Sequence, residues 1–251
     1  MRGVGEMIME TLEVQSKSGK NSQAIGQMFD KVARRYDLAN RLMSLGRDPF
    51  WRAAAARRLK IIDAPGRLLD LAAGTGDQIV SAKKIFPGLE AVGLDLSASM
   101  MKLAEPKLAK LPPPTPQMIV GDALNLPFDN ESFDSVSISF GLRNIGARQD
   151  LYRQVLRVLK PGGRFVVLEM YHDRQDLFSP IINLYLKRVV PVIGGRIASQ
   201  EPEAYRYLTS SILAFPQPRQ LMEEMAGSGF VELESRSYTF KTVMLVWGHK
   251  A

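Results

Sequence analysis

The sequence contains no cysteine among its 251 residues, and it has only two histidines and two tryptophans. Without cysteine the chain can form no disulfide, thiolate metal site or cysteine nucleophile. No stretch approaches the roughly 20 apolar residues that a membrane-spanning helix requires. The first 20 residues also lack the apolar core of a secretory signal peptide. We therefore expect a soluble protein of a reducing compartment such as the cytoplasm.

Basic side chains are concentrated in one part of the chain. The formal net charge is +7, while 45% hydrophobic and 24% charged residues are typical of a globular protein. Residues 31–60 contain nine lysines and arginines against two acidic residues, so this window alone has a charge of +7. Such a face is compatible with nucleic acid, anionic lipid or an acidic substrate, although most charge runs are solvated helix faces.

Short apolar runs alternate with helical stretches between residues 67 and 170. We predict strands at 67–72, 90–96, 117–122, 133–139 and 164–170, and helices at 77–86, 97–110 and 148–159. The connection 124–132 has the composition of a loop. A helix at 216–227 and two strands at 230–238 and 242–248 follow, and these strands are close enough to pair antiparallel. This order predicts an α/β fold with a mostly parallel sheet.

The remaining segments define the expected domain organisation. We interpret residues 1–22 as a flexible N-terminal lead-in and residues 23–251 as a single domain. Apolar residues at spacings of three to four predict a helical cap over 23–63. Residues 171–207 interrupt the α/β pattern and are expected to form an inserted lid or substrate segment.

A glycine turn follows the first predicted strand in "LLDLAAGTGD". Glycines there allow a close backbone approach to a ligand. With only Gly74 and Gly76, the turn is neither a G-x-G-x-x-G dinucleotide motif nor a P-loop. Its acidic character favours a nucleoside that carries a cationic amino-acid tail over one that carries a pyrophosphate.

Acidic residues end the next two predicted strands. Asp95 ends the second strand, about 20 residues after the glycines, where a carboxylate can accept both hydroxyls of a ribose. Asp122 and Ala123 follow the third strand, where they can read an adenine edge. Each residue alone, Asp77 included, can be explained as a helix cap or turn residue, but the ordered set indicates a nucleoside site at the carboxyl edge of the sheet.

These motifs resemble those of a known family. "LDLAAGTGD", "GLDLSASMM", "GDALNLPFDNESFDSVSISFGLRNI" and "LRVLKPGGRFVVLEM" are similar to the motifs of class I S-adenosylmethionine-dependent methyltransferases. More narrowly, "MFDKVARRYDLANRLMSLGRDPFWR" and "FGLRN" resemble the ubiquinone/menaquinone biosynthesis C-methyltransferases. The resemblance covers roughly residues 25–235.

The resemblance implies a Rossmann-like class I methyltransferase fold with a seven-stranded, mostly parallel sheet, an antiparallel last strand and helices on both faces. It implies S-adenosyl-L-methionine as the cofactor at the carboxyl edge. The cofactor-binding residues implied by position are Gly74, Thr75, Gly76, Asp77, Asp95, Asp122, Ala123 and Ser139. We expect no metal site, because the sequence contains no cluster with metal-ligand spacing.

The resemblance places Arg143 and Asn144 beside the transferred methyl group, after the fourth strand. The implied reaction moves that methyl to a ring carbon of a polyprenylated quinol. We expect Arg143 to stabilise negative charge that develops on a ring oxygen, because a guanidinium with a pKa above about 12 is a poor base. Tyr36 would hold the ring or a water, with Asp37 or Asn40 positioning it. A charged surface turn and a core tyrosine are the alternatives.

The sequence also bears on the choice of quinol substrate and on contact with a membrane. A naphthoquinol (demethylmenaquinol) is our first choice over a benzoquinol, and Lys241 stands where the family often has glycines. Residues 171–207 offer apolar faces for a polyprenyl tail, and with the basic 31–60 region they favour peripheral contact at the inner face of the membrane. A lid helix packed on the sheet is the alternative, and a homodimer is compatible with the sequence.

Three other functions are compatible with parts of the sequence. The basic window is compatible with an RNA methyltransferase, but no RNA-binding motif or interleaved aromatics accompany it, so we expect no nucleic acid partner. Intact acids at the strand ends argue against a non-catalytic assembly subunit. A methyltransferase for another small molecule is the nearest alternative. His172, and His249 near an expected exposed end, are lesser candidates for proton transfer.

Overall fold

The structure, a computed structural model, describes residues 30, 37–38, 40–173, 179–184, 188 and 202–251. The lead-in predicted over 1–22 and the candidate Tyr36 lie outside these residues, as do parts of the 23–63 and 171–207 segments. The strands are β1 (Arg67–Leu71), β2 (Glu90–Asp95), β3 (Gln117–Val120), β4 (Phe133–Ser139), β5 (Leu159–Met170), β6 (Phe230–Tyr238) and β7 (Val243–Lys250). The helices are α1 (Asp48–Ala56), α2 (Asp77–Ile85), α3 (Ala98–Leu108), α4 (Arg148–Val158), α5 (Ser179–Leu184), α6 (Pro202–Ala214) and α7 (Pro218–Gly227).

The seven strands form one sheet in the order β3-β2-β1-β4-β5-β7-β6. The strands β1 to β5 pair in parallel, and β7 lies between β5 and β6 and is antiparallel to both. Six strands therefore run in one direction, which confirms the predicted sheet. The chain order reverses between β1 and β4, and ligands of open α/β sheets bind at the carboxyl edge of such a switch point.

The strands β1, β2, β4 and β7 are buried on both faces, which is why they are apolar runs rather than alternating patterns. Successive side chains point to opposite faces, so Leu68 and Val166 pack with α1, α2 and α3, whereas Leu69 and Val167 pack with α4 and α7. Two apolar cores result, one on each face. The two layers of helices hold the strand ends in fixed positions at the carboxyl edge.

The predicted N-terminal helical region ends earlier than expected, because α1 stops at Ala56. The chain beyond it is held by side chains of β4 instead of by helical hydrogen bonds. The buried Asp134 carboxylate accepts from the backbone N–H groups of Ile62, Asp63 and Arg67 at 2.9, 3.1 and 2.7 Å. These bonds compete with helix formation and lead the chain into β1.

A third, small apolar cluster covers the carboxyl edge beside β5. Ile212 and Leu213 of α6 pack there with Met43, Ile182 of α5 and Met170 at the end of β5. The predicted insertion thus contributes at least α5 and the first part of α6 to the fold. Within the described part of the chain, no helix has the length and apolarity needed to cross a membrane.

Candidate active site

The glycine turn after β1 has the backbone geometry that the sequence predicts. Gly74 and Gly76 have φ values of +54° and +79°, a conformation that side chains with a Cβ rarely adopt. A Cβ added to Gly74 would meet no atom within 4 Å, so the turn borders open space. Gly141, at the end of β4, packs so close to the turn that its Cβ would lie 2.5 Å from the Cβ of Ala72. The segments after β1 and β4 therefore meet at one point of the carboxyl edge.

Asp95 lies at the end of β2 and is tied to the same turn. One carboxylate oxygen accepts from the backbone N–H of Gly74 at 2.8 Å, and the other accepts from that of Ser97 at 2.8 Å. Burial raises the pKa of this carboxyl, and the two backbone hydrogen bonds oppose that effect. Each carboxylate oxygen has a second lone pair, so Asp95 retains the capacity to accept ligand hydroxyls.

A chain of polar contacts joins the N-terminal segment to this turn. Asp37 accepts from the hydroxyl of Thr75 at 2.6 Å and from Lys107 at 2.9 Å, and Lys107 also contacts Asp77 at 2.6 Å. Tyr36, which Asp37 is expected to position, lies outside the described residues, and the described partners of Asp37 are Thr75 and Lys107. Asp30 makes a similar contact further along the edge, since it accepts from the hydroxyl of Ser97 at 2.5 Å, which lowers the pKa of Asp30.

The other predicted cofactor residues line the same edge. The Asp122 carboxylate accepts from the backbone N–H of Leu124 at 2.9 Å, which closes the turn after β3, and Ala123 is buried beside it. The buried hydroxyl of Ser139 donates to the side-chain oxygen of Gln78 at 3.2 Å. The fold thus gathers all eight predicted residues at the ends of β1, β2, β3 and β4, and their individual contacts with a ligand remain predictions.

Asp70 is a buried acid that the sequence analysis did not select. It lies on β1, is fully buried, and accepts from the hydroxyl of Ser137 at 2.7 Å. Burial raises its pKa to about 7, while Ser137 and the charge of Arg52 oppose the rise. The signal in the sequence is an acid in the middle of the apolar run "LLDLA", because acidic side chains are rarely fully buried unless they are paired.

Arg143 lies inside the molecule and not in a surface turn. It belongs to a short 3₁₀ helix (Leu142–Asn144), and its side chain is 5% exposed. Its Nη1 donates to Glu169 and to the backbone oxygen of Phe140, both at 2.6 Å, and its backbone N–H donates to the other Glu169 oxygen at 3.1 Å. Glu169, at the end of β5, is completely buried. This ion pair joins the ends of β4 and β5 at the carboxyl edge.

Asn144 is joined to the inserted segment. The hydroxyl of Tyr207, on α6, donates to the side-chain oxygen of Asn144 at 3.1 Å. Burial raises the pKa of Tyr207, with the Arg143 charge opposing this rise and the Glu169 charge reinforcing it. The phenol is therefore protonated at neutral pH and acts as a donor. Neither Glu169 nor Tyr207 was predicted, and their signals were a charge within the run "RFVVLEM" and an aromatic residue within the insertion.

The remaining candidates lie elsewhere or have other contacts. His249, expected at an exposed end, is buried instead, and it accepts from Arg164 at 3.1 Å on β5, far from the carboxyl edge. His172 is also buried, and its backbone oxygen accepts from Gln217 at 2.7 Å. Lys241 lies 3.6 Å from Asp173. Among the described residues, no group of three or more His, Asp or Glu residues has the arrangement needed to hold a metal.

Known proteins are similar in sequence to this chain over most of its length. The model of the ubiE/COQ5 methyltransferase family matches residues 17–250. A demethylmenaquinone methyltransferase of Thermotoga maritima is 41% identical over 213 residues, which cover 84% of this chain and 90% of the relative. The ubiquinone/menaquinone biosynthesis C-methyltransferase UbiE of Syntrophotalea carbinolica is 40% identical over 233 residues, covering 93% and 97%.

Solved structures share the fold at lower identity. A SAM-dependent methyltransferase from Thermotoga maritima, described as a possible histamine N-methyltransferase, superposes with a TM-score of 0.62 at 19% identity, covering 90% of this chain and 99% of that one. Phosphoethanolamine N-methyltransferase 2 of Haemonchus contortus, in complex with S-adenosyl-L-methionine, gives a TM-score of 0.59 at 18% identity, covering 79% and 52%. These likenesses concern the fold alone.

Proposed function

The chain belongs to the ubiE/COQ5 methyltransferase family, and on that premise we propose that it transfers a methyl group from S-adenosyl-L-methionine to a ring carbon of a polyprenylated quinol. It is an S-adenosylmethionine-dependent C-methyltransferase of menaquinone or ubiquinone biosynthesis, as its relatives are named. The observation that supports a specific site is the meeting of the glycine turn, Asp95 and the buried Arg143–Glu169 pair at one edge of the sheet.

The carboxyl edge has the donor and acceptor groups that S-adenosylmethionine requires. Asp95 has lone pairs for ribose hydroxyls, and the open space at Gly74 leaves room for the tail of the cofactor. Acidic groups at this edge, Asp77 and Asp95 among them, favour a ligand that carries positive charge on its sulfonium and ammonium groups. When bound, S-adenosylmethionine supplies an electrophilic methyl group, and the protein has to align the attacking carbon with it.

We assign Arg143 to the ring oxygen next to the attacking carbon. That carbon gains nucleophilic character as the neighbouring hydroxyl loses its proton, and a guanidinium stabilises the negative charge that results. The new carbon–carbon bond replaces the sulfur–methyl bond, and the ring hydrogen at that carbon leaves as a proton. Arg143 does not act as the base, because a guanidinium group keeps its proton at physiological pH.

Glu169 and Tyr207 are positioning residues in this proposal. Glu169 holds the Arg143 guanidinium through the 2.6 Å contact with Nη1, so the cation has one orientation at the end of β4. Tyr207 similarly fixes the side-chain amide of Asn144. Because α6 contributes Tyr207, the packing of α6 and the orientation of Asn144 are linked.

The substrate that we propose is a naphthoquinol, demethylmenaquinol, with a demethoxylated benzoquinol as the second candidate. The test uses purified protein, labelled S-adenosylmethionine and each reduced quinone, with wild type and Arg143→Ala in parallel. We expect label at a ring carbon of the naphthoquinol and its loss in the variant, while the Kd for the cofactor stays within about threefold.

Two results would contradict parts of this proposal. Cofactor binding without methylation of either quinol would refute the substrate, and methylation that survives in Arg143→Ala would refute the role of Arg143.

We also propose that the reaction takes place at the inner face of the membrane, with the protein attached peripherally, because a polyprenyl tail partitions into the bilayer.

A further inference from the structure

Three leucines form an exposed apolar stripe on the N-terminal segment. Residues 37, 38 and 40–43 are helical, and the turn that ends this helix is closed by hydrogen bonds from the N–H of Ser44 to Asn40 and from that of Gly46 to Arg41, both at 2.8 Å. Leu38, Leu42 and Leu45 are 55%, 44% and 77% exposed. Leu38 and Leu42 are four residues apart and lie on the same side of this helix, and Leu45 follows in the turn that ends it. We call these three residues the leucine stripe.

The backbone of Leu45 makes this exposure costly for the fold. Leu45 has a φ of +50°, in the left-handed region that asparagine and glycine adopt far more readily than leucine. A strained leucine that is mostly in water contributes little to the core. Phe240, in the turn between β6 and β7, has the same combination of φ +52° and 63% exposure. Bulky apolar side chains thus occupy two strained and exposed positions, Leu45 and Phe240, which indicates a role other than folding.

Both positions lie at the carboxyl edge of the sheet. Leu45 precedes α1, and the start of α1 contacts the β6–β7 turn, since the Trp51 indole N–H donates to the hydroxyl of Thr239 at 3.1 Å. The Phe50 ring, 57% exposed, packs edge-on against the Tyr238 ring, with 5.8 Å between the ring centroids. The leucine stripe, Phe50 and Phe240 are therefore all exposed on this side of the molecule, and we call them the apolar rim. Asp37, next to Leu38 in sequence, contacts Thr75 of the glycine turn.

The charges around this rim are mostly basic. Arg41 and Arg47 flank the leucine stripe, and Arg236 and Lys241 flank the β6–β7 turn, all with exposed side chains. Of the neighbouring acids, Asp37 contacts Lys107 at 2.9 Å and Asp173 contacts Lys241 at 3.6 Å. Exposed apolar side chains among basic ones are the composition of surfaces that bind the interface of an anionic bilayer.

We infer that the apolar rim docks on an anionic lipid bilayer, with the leucine stripe inserted among the headgroups and the basic side chains above them. This inference rests on the proposed function, since docking at the carboxyl edge would let a quinol enter the site from the bilayer without crossing water. A second copy of this chain is the competing occupant, and it would bury the same leucines without lipid.

The test measures binding of the full chain to vesicles of phosphatidylcholine alone and of equal parts phosphatidylcholine and phosphatidylglycerol, by co-sedimentation. We expect binding to the anionic vesicles, and a loss of about tenfold in Leu45→Asn and in Leu42→Gln. Asparagine suits the left-handed backbone, so Leu45→Asn should unfold at the same or a higher temperature. The matched control is Leu103→Gln, at a 39% exposed position midway along α3, which should bind like wild type.

The result separates this inference from the proposed function. Methylation of a short-chain quinol in solution should be unchanged in Leu45→Asn and Leu42→Gln, because neither residue lies among the site residues. Equal vesicle binding by wild type and both variants, or no binding by wild type, would overturn the docking surface. A wild-type dimer that dissociates in Leu45→Asn, without vesicle binding, would assign the rim to a second copy instead.

Discussion

Removal of the Glu169 charge tests the central ion pair most directly. Glu169→Gln keeps the size of the side chain and leaves the Arg143 guanidinium, 5% exposed, without its counter-charge. Breaking a buried ion pair on one side costs about 3–5 kcal/mol, because the remaining charge is desolvated and uncompensated. Since a domain is stable by only about 5–15 kcal/mol, the loss should be evident in urea unfolding at an unchanged m value.

The chain offers a matched control for this substitution. Arg148 and Glu224 form a bidentate ion pair with two contacts of 2.8 Å, but their side chains are 21% and 29% exposed. Water screens this pair more than the Arg143–Glu169 pair, so Glu224→Gln should cost less stability than Glu169→Gln. If Glu169→Gln loses no more stability than Glu224→Gln, the argument from burial is wrong.

A double substitution separates stability from chemistry. Replacing both Arg143 and Glu169 by apolar residues, as in Arg143→Met with Glu169→Leu, removes the uncompensated charge and should recover most of the lost stability. Methyl transfer should stay absent, because the cation that we propose for the ring oxygen is gone. A stable and active double variant would show that the pair serves the fold alone, whereas a stable and inactive one supports the proposed role of Arg143.

The remaining predictions concern groups around the glycine turn. Burial raises the pKa of Asp70 to about 7, so its ionisation destabilises the folded chain as the pH rises from about 4 to about 7. Asp70→Asn should therefore gain up to roughly 4 kcal/mol in the free energy of unfolding over wild type across that window. A difference in thermal unfolding that does not change with pH would contradict this. Gly141→Ala should cost about 1–3 kcal/mol in urea unfolding, because its Cβ would lie 2.5 Å from that of Ala72. Asp37→Asn removes the charged acceptor of the Thr75 hydroxyl and should weaken S-adenosylmethionine binding several-fold, as measured by calorimetry. An unchanged Kd would contradict a role of the N-terminal segment in cofactor binding.

Local patterns predicted most of the fold because each pattern depends on neighbouring residues. The apolar runs that became β1, β2 and β4 lie within one or two residues of their predicted bounds, and so does α4. The predicted end of the N-terminal helical region was less accurate. Asp134, about 70 residues away in sequence, accepts hydrogen bonds from the backbone beyond Ala56, and the helix ends there. A side chain that competes for helical hydrogen bonds from so far away leaves no local signal.

The same division applies to the site. The sequence by itself determined the glycine turn and the acids at the strand ends, because parallel strands necessarily bring their carboxyl ends to one edge. Tertiary structure alone decided that Arg143 pairs with Glu169, that Tyr207 reaches Asn144, and that Asp37 reaches Thr75. These partners are 26, 63 and 38 residues apart, and their contacts exist because separate elements pack on a common sheet. No periodicity within a segment encodes the position of another segment, so such pairs are determined by packing.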